Sequence, residues 1–177
     1  MYILGLNAYH GDSSASIHRD GVLIAATEEE RIKRIKHWAG LPVEAIKFCL
    51  EEANISLGEV DYITVSRDPK AKLGEKVIQT LKKGISLKAV KDRGANSLKI
   101  TGIKNDICEA MGVDSKSIKA EVKFIEHHRS HIASSFHVSP FEEAAVLSID
   151  GMGDFSSTMR GIGRGNKIEI IDSVSYP

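Results

Sequence analysis

Cysteine is scarce in this chain. Two occur among 177 residues, Cys49 and Cys108, far apart and without a CxxC partner. Nothing signals a disulfide framework, and two reduced, buried thiols of a cytosolic protein are expected. Net charge is absent as well, with 24 basic residues against 24 acidic. That balance excludes bulk electrostatic attraction to nucleic acid or to a membrane surface and leaves only local patches. No apolar run approaches the roughly 20 residues a membrane helix needs. The opening MYILGLNAYHGD lacks the basic flank and long apolar run of a secretory signal. A cytoplasmic protein with no membrane partner is the expectation.

What is present is an ordinary globular composition, 42% apolar and 27% charged. The length suffices for one domain with a sizeable core, or for part of something larger. Tyr2–Asn7 is a short apolar run that suits a buried strand. Small residues follow, then Asp20-Gly21, a strong hairpin signal ahead of the strand-like VLIAAT. The opening thus predicts a three-stranded antiparallel meander. LPVEAIKFCLEEANI predicts a helix, with Pro42 in its first turn and Ile46, Cys49, Leu50 and Ala53 on one face. DYITVS and VKFIEH read as further strands. EEERIKRIKHWAG is a helix start or a functional loop. Its Arg34, Lys36, His37 and Trp38 suit a substrate entrance, or equally a packed tryptophan beside a basic loop.

From 67 to 99, ten Lys/Arg face three Asp/Glu, the main charge asymmetry of the chain. Val77, Ile78, Leu81 and Ile85 fall at helical spacing there, so a basic helical insertion over about 67–114 is expected. No aromatics interleave with the charges, which makes nucleic acid an unlikely partner.

The opening pattern returns near the end. Ile3, Leu4, Leu6 and Asn7 match Val146, Leu147, Ile149 and Asp150. With one residue dropped in the turn, Gly11-Asp12 match Gly153-Asp154, and Ser14 and Ser16 match Ser156 and Thr158. Each copy reads as strand, small polar turn, strand, turn, strand. Two such sheets can present acidic, Gly/Ser-rich hairpins to one shared cleft. Backbone N–H groups and hydroxyls would hold phosphate oxygens there, and aspartates a cation bridging the phosphates. The second copy stops after its third strand. The chain is therefore expected to be a fragment: 1–142 a first subdomain, 143–177 the opening strands of a second.

Four of the seven histidines lie in EHHRSHIASSF and the residue after it. His127 and His131, four apart, share one helix face and can reach one metal ion. His128 points elsewhere, as a supporting, substrate or capping residue. VKFIEH and AAVLSID bring His127 and Asp150 to the carboxyl ends of strands, where α/β proteins place ligands. Two imidazoles and one carboxylate form a metal set with open positions and suit iron, zinc or manganese. The small residues of IASSF would let the helix pack closely on a sheet. His10, beside Gly11-Asp12, is a candidate proton acceptor or phosphate contact, or a turn-stabilising residue. His18 and His37 lack partners in the sequence, and GIGRG (Gly161–Gly165) reads as a sheet turn rather than a nucleotide loop.

NAYHGDSSASI, EEERIKRIKHWAGLPVEAIKFCLEEA, HHRSHIASSF and LSIDGMGDFSST, in that order, resemble the amino-terminal part of the O-carbamoyltransferases that act on nodulation factors and antibiotics. The resemblance spans nearly the whole chain and is weakest over 67–114. It implies an α/β, actin-like ATPase (ribonuclease H-like) fold of duplicated halves. It implies that a carboxy-terminal YrdC-like domain makes carbamoyl adenylate from carbamoyl phosphate and ATP with Mg2+. The amino-terminal part would then pass the carbamoyl group to the hydroxyl of a small-molecule acceptor at a bound divalent ion, iron foremost. Carried over by motif, His127, His131 and Asp150 are metal ligands and His10 is the general base. Gly11, Asp12, Ser13, Gly151 and Gly153 would contact phosphate or adenylate, and His128 and Arg129 the substrate. A further acidic ligand and the YrdC-like domain are absent, so this fragment alone is expected to be inactive. Two other readings remain: another actin-like phosphotransferase, against which the His-xxx-His helix counts, and a non-catalytic nucleotide-binding module.

Overall fold

The computed structural model describes residues 1–75 and 100–175 of the chain. The helical spacing expected at Val77, Ile78, Leu81 and Ile85 lies outside the described residues. The chain divides into two compact units. One comprises Met1–Ser66 and the described part of Ser86–Phe124; the other comprises the described parts of Arg67–Ile85 and Ile125–Pro177.

In the first unit, β1 (Tyr2–Asn7), β2 (Ser14–Arg19) and β3 (Val22–Glu28) form the expected antiparallel meander. The β2–β3 turn has Asp20 at φ 53° and Gly21 at φ 85°. Both central residues are left-handed, the turn whose twist matches that of the flanking strands. β4 (Tyr62–Val65) joins β1 in parallel and β5 (Glu121–Phe124) joins β4 in parallel, giving the order β3-β2-β1-β4-β5. This mixed sheet is the actin-like, ribonuclease H-like arrangement.

Alternation along the strands sends Leu4, Leu6, Ala15, Ile17, Ile63 and Val65 into the core. Helix α2 (Val43–Ala53) meets them with Ala45, Ile46, Cys49 and Leu50, and α3 (Ile103–Met111) with Ile103 and Ile107. Each of the Leu, Ile and Val side chains contributes about 1.5–3 kcal/mol by leaving water. Pro42 is the N-cap of α2 rather than a first-turn residue, and no side chain of its own caps the helix. The acidic run before it supplies the cap. Glu29, in the short helix α1 (Glu29–Lys33), is fully buried. Its carboxylate accepts the N–H groups of Glu44 (3.2 Å) and Ala45 (2.8 Å), with Lys33 Nζ at 3.6 Å. Glu29→Ala strands both donors, so denaturant melting should show a loss of about 2–3 kcal/mol. An unchanged midpoint would remove this role.

In the second unit, β6 (Glu143–Gly153), β7 (Ser156–Arg164) and β8 (Lys167–Ser175) form a second antiparallel meander. The repeat is thus present as repeated topology, and GIGRG lies in β7 and its turn to β8. Helix α4 (His127–Phe136) packs Ile132 and Phe136 on Val146 and Met159. Ser134 and Ser135 face outward and donate to the His131 carbonyl. Close approach therefore comes from the sheet, where Gly163 lies under the Phe136 ring, rather than from the small residues of the helix.

Burial is inverted between the copies. Leu4 and Leu6 are 0% and 4% exposed; their matches Leu147 and Ile149 are 60% and 74% exposed. The covered face of the second meander is the alternate one, bearing Val146 and Ser148. Among the described residues, no helix is long and apolar enough to cross a membrane.

Candidate metal centre

The second unit brings His127, His131 and Asp150 together. Four-residue spacing places both imidazoles on one side of α4, one turn apart. Asp150 stands where the β6–β7 ladder breaks register, between Ile149 and Gly153. That bulge turns its carboxylate toward the helix. His127 Nε2 lies 2.8 Å from Asp150 Oδ2 and 3.0 Å from His131 Nε2; the third side, His131 Nε2 to Asp150 Oδ2, is 3.6 Å.

This donor set fits a divalent ion. Three atoms with these separations can all lie at the roughly 2.1 Å expected of a metal–imidazole or metal–carboxylate bond. Three lone-pair centres converging on one point have only shared protons to relieve them otherwise. The electrostatics run the same way. Burial, followed by the neighbouring His127, pushes the His131 pKa below that of an ordinary imidazole. The hydrogen bond from His127, with the Gly151 N–H, holds the Asp150 carboxyl below the usual carboxylate range. Both groups present lone pairs near neutral pH.

The other predicted residues of this unit have definite places. His128 is fully buried, its Nδ1 2.8 Å from Ser148 Oγ and its Nε2 3.0 Å from the Ser156 carbonyl. Both nitrogens are engaged inside the unit, which suits a supporting role for the helix and leaves neither facing a substrate. Arg129 is exposed, and its backbone N–H donates to the Glu126 side chain that caps α4. A Cβ on Gly151 would meet nothing within 4 Å, whereas one on Gly153 would lie 1.9 Å from His127 Cδ2.

The remaining predicted residues belong to the β1–β2 hairpin of the first unit. His10 Nδ1 is 3.3 Å from the Gly11 carbonyl. Asn7 Nδ2 donates to the Gly11 and Asp12 carbonyls at 3.2 and 3.1 Å. Ser13 is buried, its hydroxyl within 2.9 Å of the His10 carbonyl and 2.8 Å of the Gly40 carbonyl. Its hydroxyl thus holds the hairpin to the loop after α1. The Tyr9 hydroxyl donates to Asp106 of α3, and burial, then Asp106, pushes the Tyr9 pKa up. A partner absent from any local motif also appears: His37 Nδ1 lies 2.7 Å from Asp12 Oδ1, and the His37 N–H donates to Glu30 Oε2 at 2.9 Å. The Asp12 contact raises the His37 pKa. Lys33 Nζ sits 4.8 Å over the Trp38 ring, the packed-tryptophan arrangement.

Sequence reasoning missed Asp154, whose buried carboxylate contacts α4, and the His127-facing role of Gly153. Their GD pair is indistinguishable from an ordinary turn; only its place in the repeat marked it.

Residues 2–177 match the family model described as the carbamoyltransferase N-terminus. The uncharacterized protein sll1178 of Synechocystis sp. is 38% identical over 184 residues, covering 99% of this chain and 29% of the relative. The nodulation protein NolNO of Sinorhizobium fredii is 33% identical over 166 residues, covering 92% of this chain and 23% of the relative. Among solved structures, YeaZ from Pseudomonas aeruginosa is similar over 97% of this chain and 64% of its own, at 14% identity and a TM-score of 0.46. The chain spans less than a third of the length of these two curated relatives.

Proposed function

Since the chain belongs to the carbamoyltransferase family, as its amino-terminal part, we propose that it carries the transfer site for moving a carbamoyl group from carbamoyl adenylate to a substrate hydroxyl. The observation that supports this most is the convergence of His127, His131 and Asp150 within 2.8–3.6 Å. These three would hold a divalent ion, iron foremost, with a further ligand from outside this chain. When bound, such an ion polarises a carbonyl or phosphate oxygen as a Lewis acid.

The chain's own residues do the rest. His10 accepts the proton of the acceptor hydroxyl as its oxygen bonds to the carbamoyl carbon. The bond from that carbon to the adenylate phosphate oxygen breaks, and AMP leaves. The Gly11-Asp12 backbone would contact phosphate, whereas the Ser13 N–H donates to the Trp38 carbonyl and the Gly151 N–H to Asp150 Oδ1. ATP with Mg2+ and carbamoyl phosphate are consumed by a YrdC-like domain of the longer protein.

The test uses the intact protein with Fe2+, ATP, carbamoyl phosphate and a polyhydroxy acceptor. Carbamoyl phosphate-dependent AMP formation and a carbamoylated acceptor are expected. His10→Ala should lower transfer by about 10²- to 10⁴-fold. Absence of carbamoyl phosphate-dependent AMP formation would sink the reading; wild-type transfer by His10→Ala would sink the base.

A further inference from the structure

Asp154 is the buried charge that the transfer reading leaves unused. Its side chain is 3% exposed. A carboxylate so deep in a protein is costly unless hydrogen bonds and counter-charge satisfy it. Here Oδ2 accepts the backbone N–H of His127 at 3.0 Å and that of Asp68 at 2.7 Å. Arg67 Nε stands 4.0 Å from Oδ1. Two segments far apart in sequence, the start of α4 and the stretch after β4, thus hang on one carboxylate.

The turn that carries it is tight. Asp154 and Phe155 both lie in the left-handed region, at φ 47° and 70°. They are the central pair of the two-residue β6–β7 turn between Gly153 and Ser156, the same conformation as Asp20-Gly21. Gly153, just before, lies against the His127 ring. One residue of this turn therefore limits the ring by contact, and the next holds the main chain of the same histidine.

We propose that Asp154 is a positioning residue for the metal centre: it fixes the first residue of α4, and through it the His127 imidazole, while tying Arg67–Asp68 to the same point. The inference rests on the reading of His127 as a metal ligand. The first N–H groups of a helix have no partner within it, and a carboxylate there also meets the positive end of the helix dipole. Glu126 serves the N–H of Arg129; Asp154 serves that of His127. Without it, the first N–H of the residue carrying the ligand loses its carboxylate acceptor, and a ligand displaced by a fraction of an ångström binds metal poorly.

The experiment compares the intact wild-type protein with Asp154→Ala, Asp154→Asn and His131→Ala. Cobalt(II) binding is followed by visible absorption, and amide hydrogen exchange is read at His127 and Asp68. Asp154→Ala should weaken cobalt affinity by about 10- to 100-fold and alter the band shape. Both amides should lose protection together. Asp154→Asn, whose side-chain oxygen still accepts N–H groups, should recover much of the affinity and protection. His131→Ala should weaken cobalt while leaving both amides protected. Wild-type cobalt affinity and bands in Asp154→Ala, or unchanged exchange at the two amides, would overturn the proposal. No cobalt uptake by the wild-type protein would overturn the metal reading itself, and the amide exchange would then decide alone whether Asp154 holds His127.

Discussion

Replacing His127 and His131 together with alanine is expected to remove divalent-metal binding from the proposed centre. The two rings supply two of three donor atoms that lie 2.8–3.6 Å apart. What remains is Asp150, a half-exposed carboxylate with no converging partner from α4. Affinity should fall by more than about 100-fold, beyond what loss of a merely supporting group costs. Metal content after equilibration with iron or zinc, and calorimetric titration, would measure it. His131→Ala alone keeps the His127–Asp150 pair and should lose less. Acid should act in the same direction as the mutations, because imidazoles must be neutral to bind. The depressed His131 pKa places its protonation below the ordinary histidine range, so that nitrogen stays available at pH values where an unperturbed histidine is charged. Full metal content in the double variant would dismiss the ligand assignment.

Gly153→Ala should damage the second unit and its histidine centre together. The new carbon would lie 1.9 Å from His127 Cδ2 and 2.2 Å from Cγ, so the ring or the turn must move. Forced repacking of this kind costs about 1–3 kcal/mol. The ring cannot swing away without leaving Asp150 and His131. Stability and metal affinity should therefore fall together. Gly151→Ala is the control for stability, because its methyl meets nothing within 4 Å. Equal melting temperatures for the two variants would show that the close packing of Gly153 on His127 does not constrain the site.

Much of the fold was legible because its signals are local. Asp20-Gly21 between apolar runs announced the first hairpin, and α2 showed its buried face as Ile46, Cys49 and Leu50. The histidine pair was legible because helical spacing dictates which side chains share a face. What stayed hidden depends on contacts between segments distant in the chain. Glu29 reads as one more charge in a charged run, yet it caps a helix that begins 14 residues later. Asp154 reads as a turn residue, yet it binds the N–H groups of Asp68 and His127. His37 gained a partner only when the hairpin brought Asp12 to it. The repeat was legible as a pattern of strands, but not the side each copy would bury, since both faces of β6 carry apolar residues.

The spacing of His127, His131 and Asp150 along the chain bears on the order in which structure forms. His127 and Asp150 are separated by a short stretch containing α4 and the start of β6, and β6, β7 and β8 pair with sequence neighbours. Closing such short loops loses little chain entropy and is fast. The first sheet is different, because β5 at Glu121–Phe124 must find β4 at Tyr62–Val65 in parallel register across a long connection. Its nucleation is entropically the slower event. The histidine centre is thus encoded in the part of the chain whose contacts are most local, so on the growing polypeptide its ligands can be gathered within one short window of synthesis.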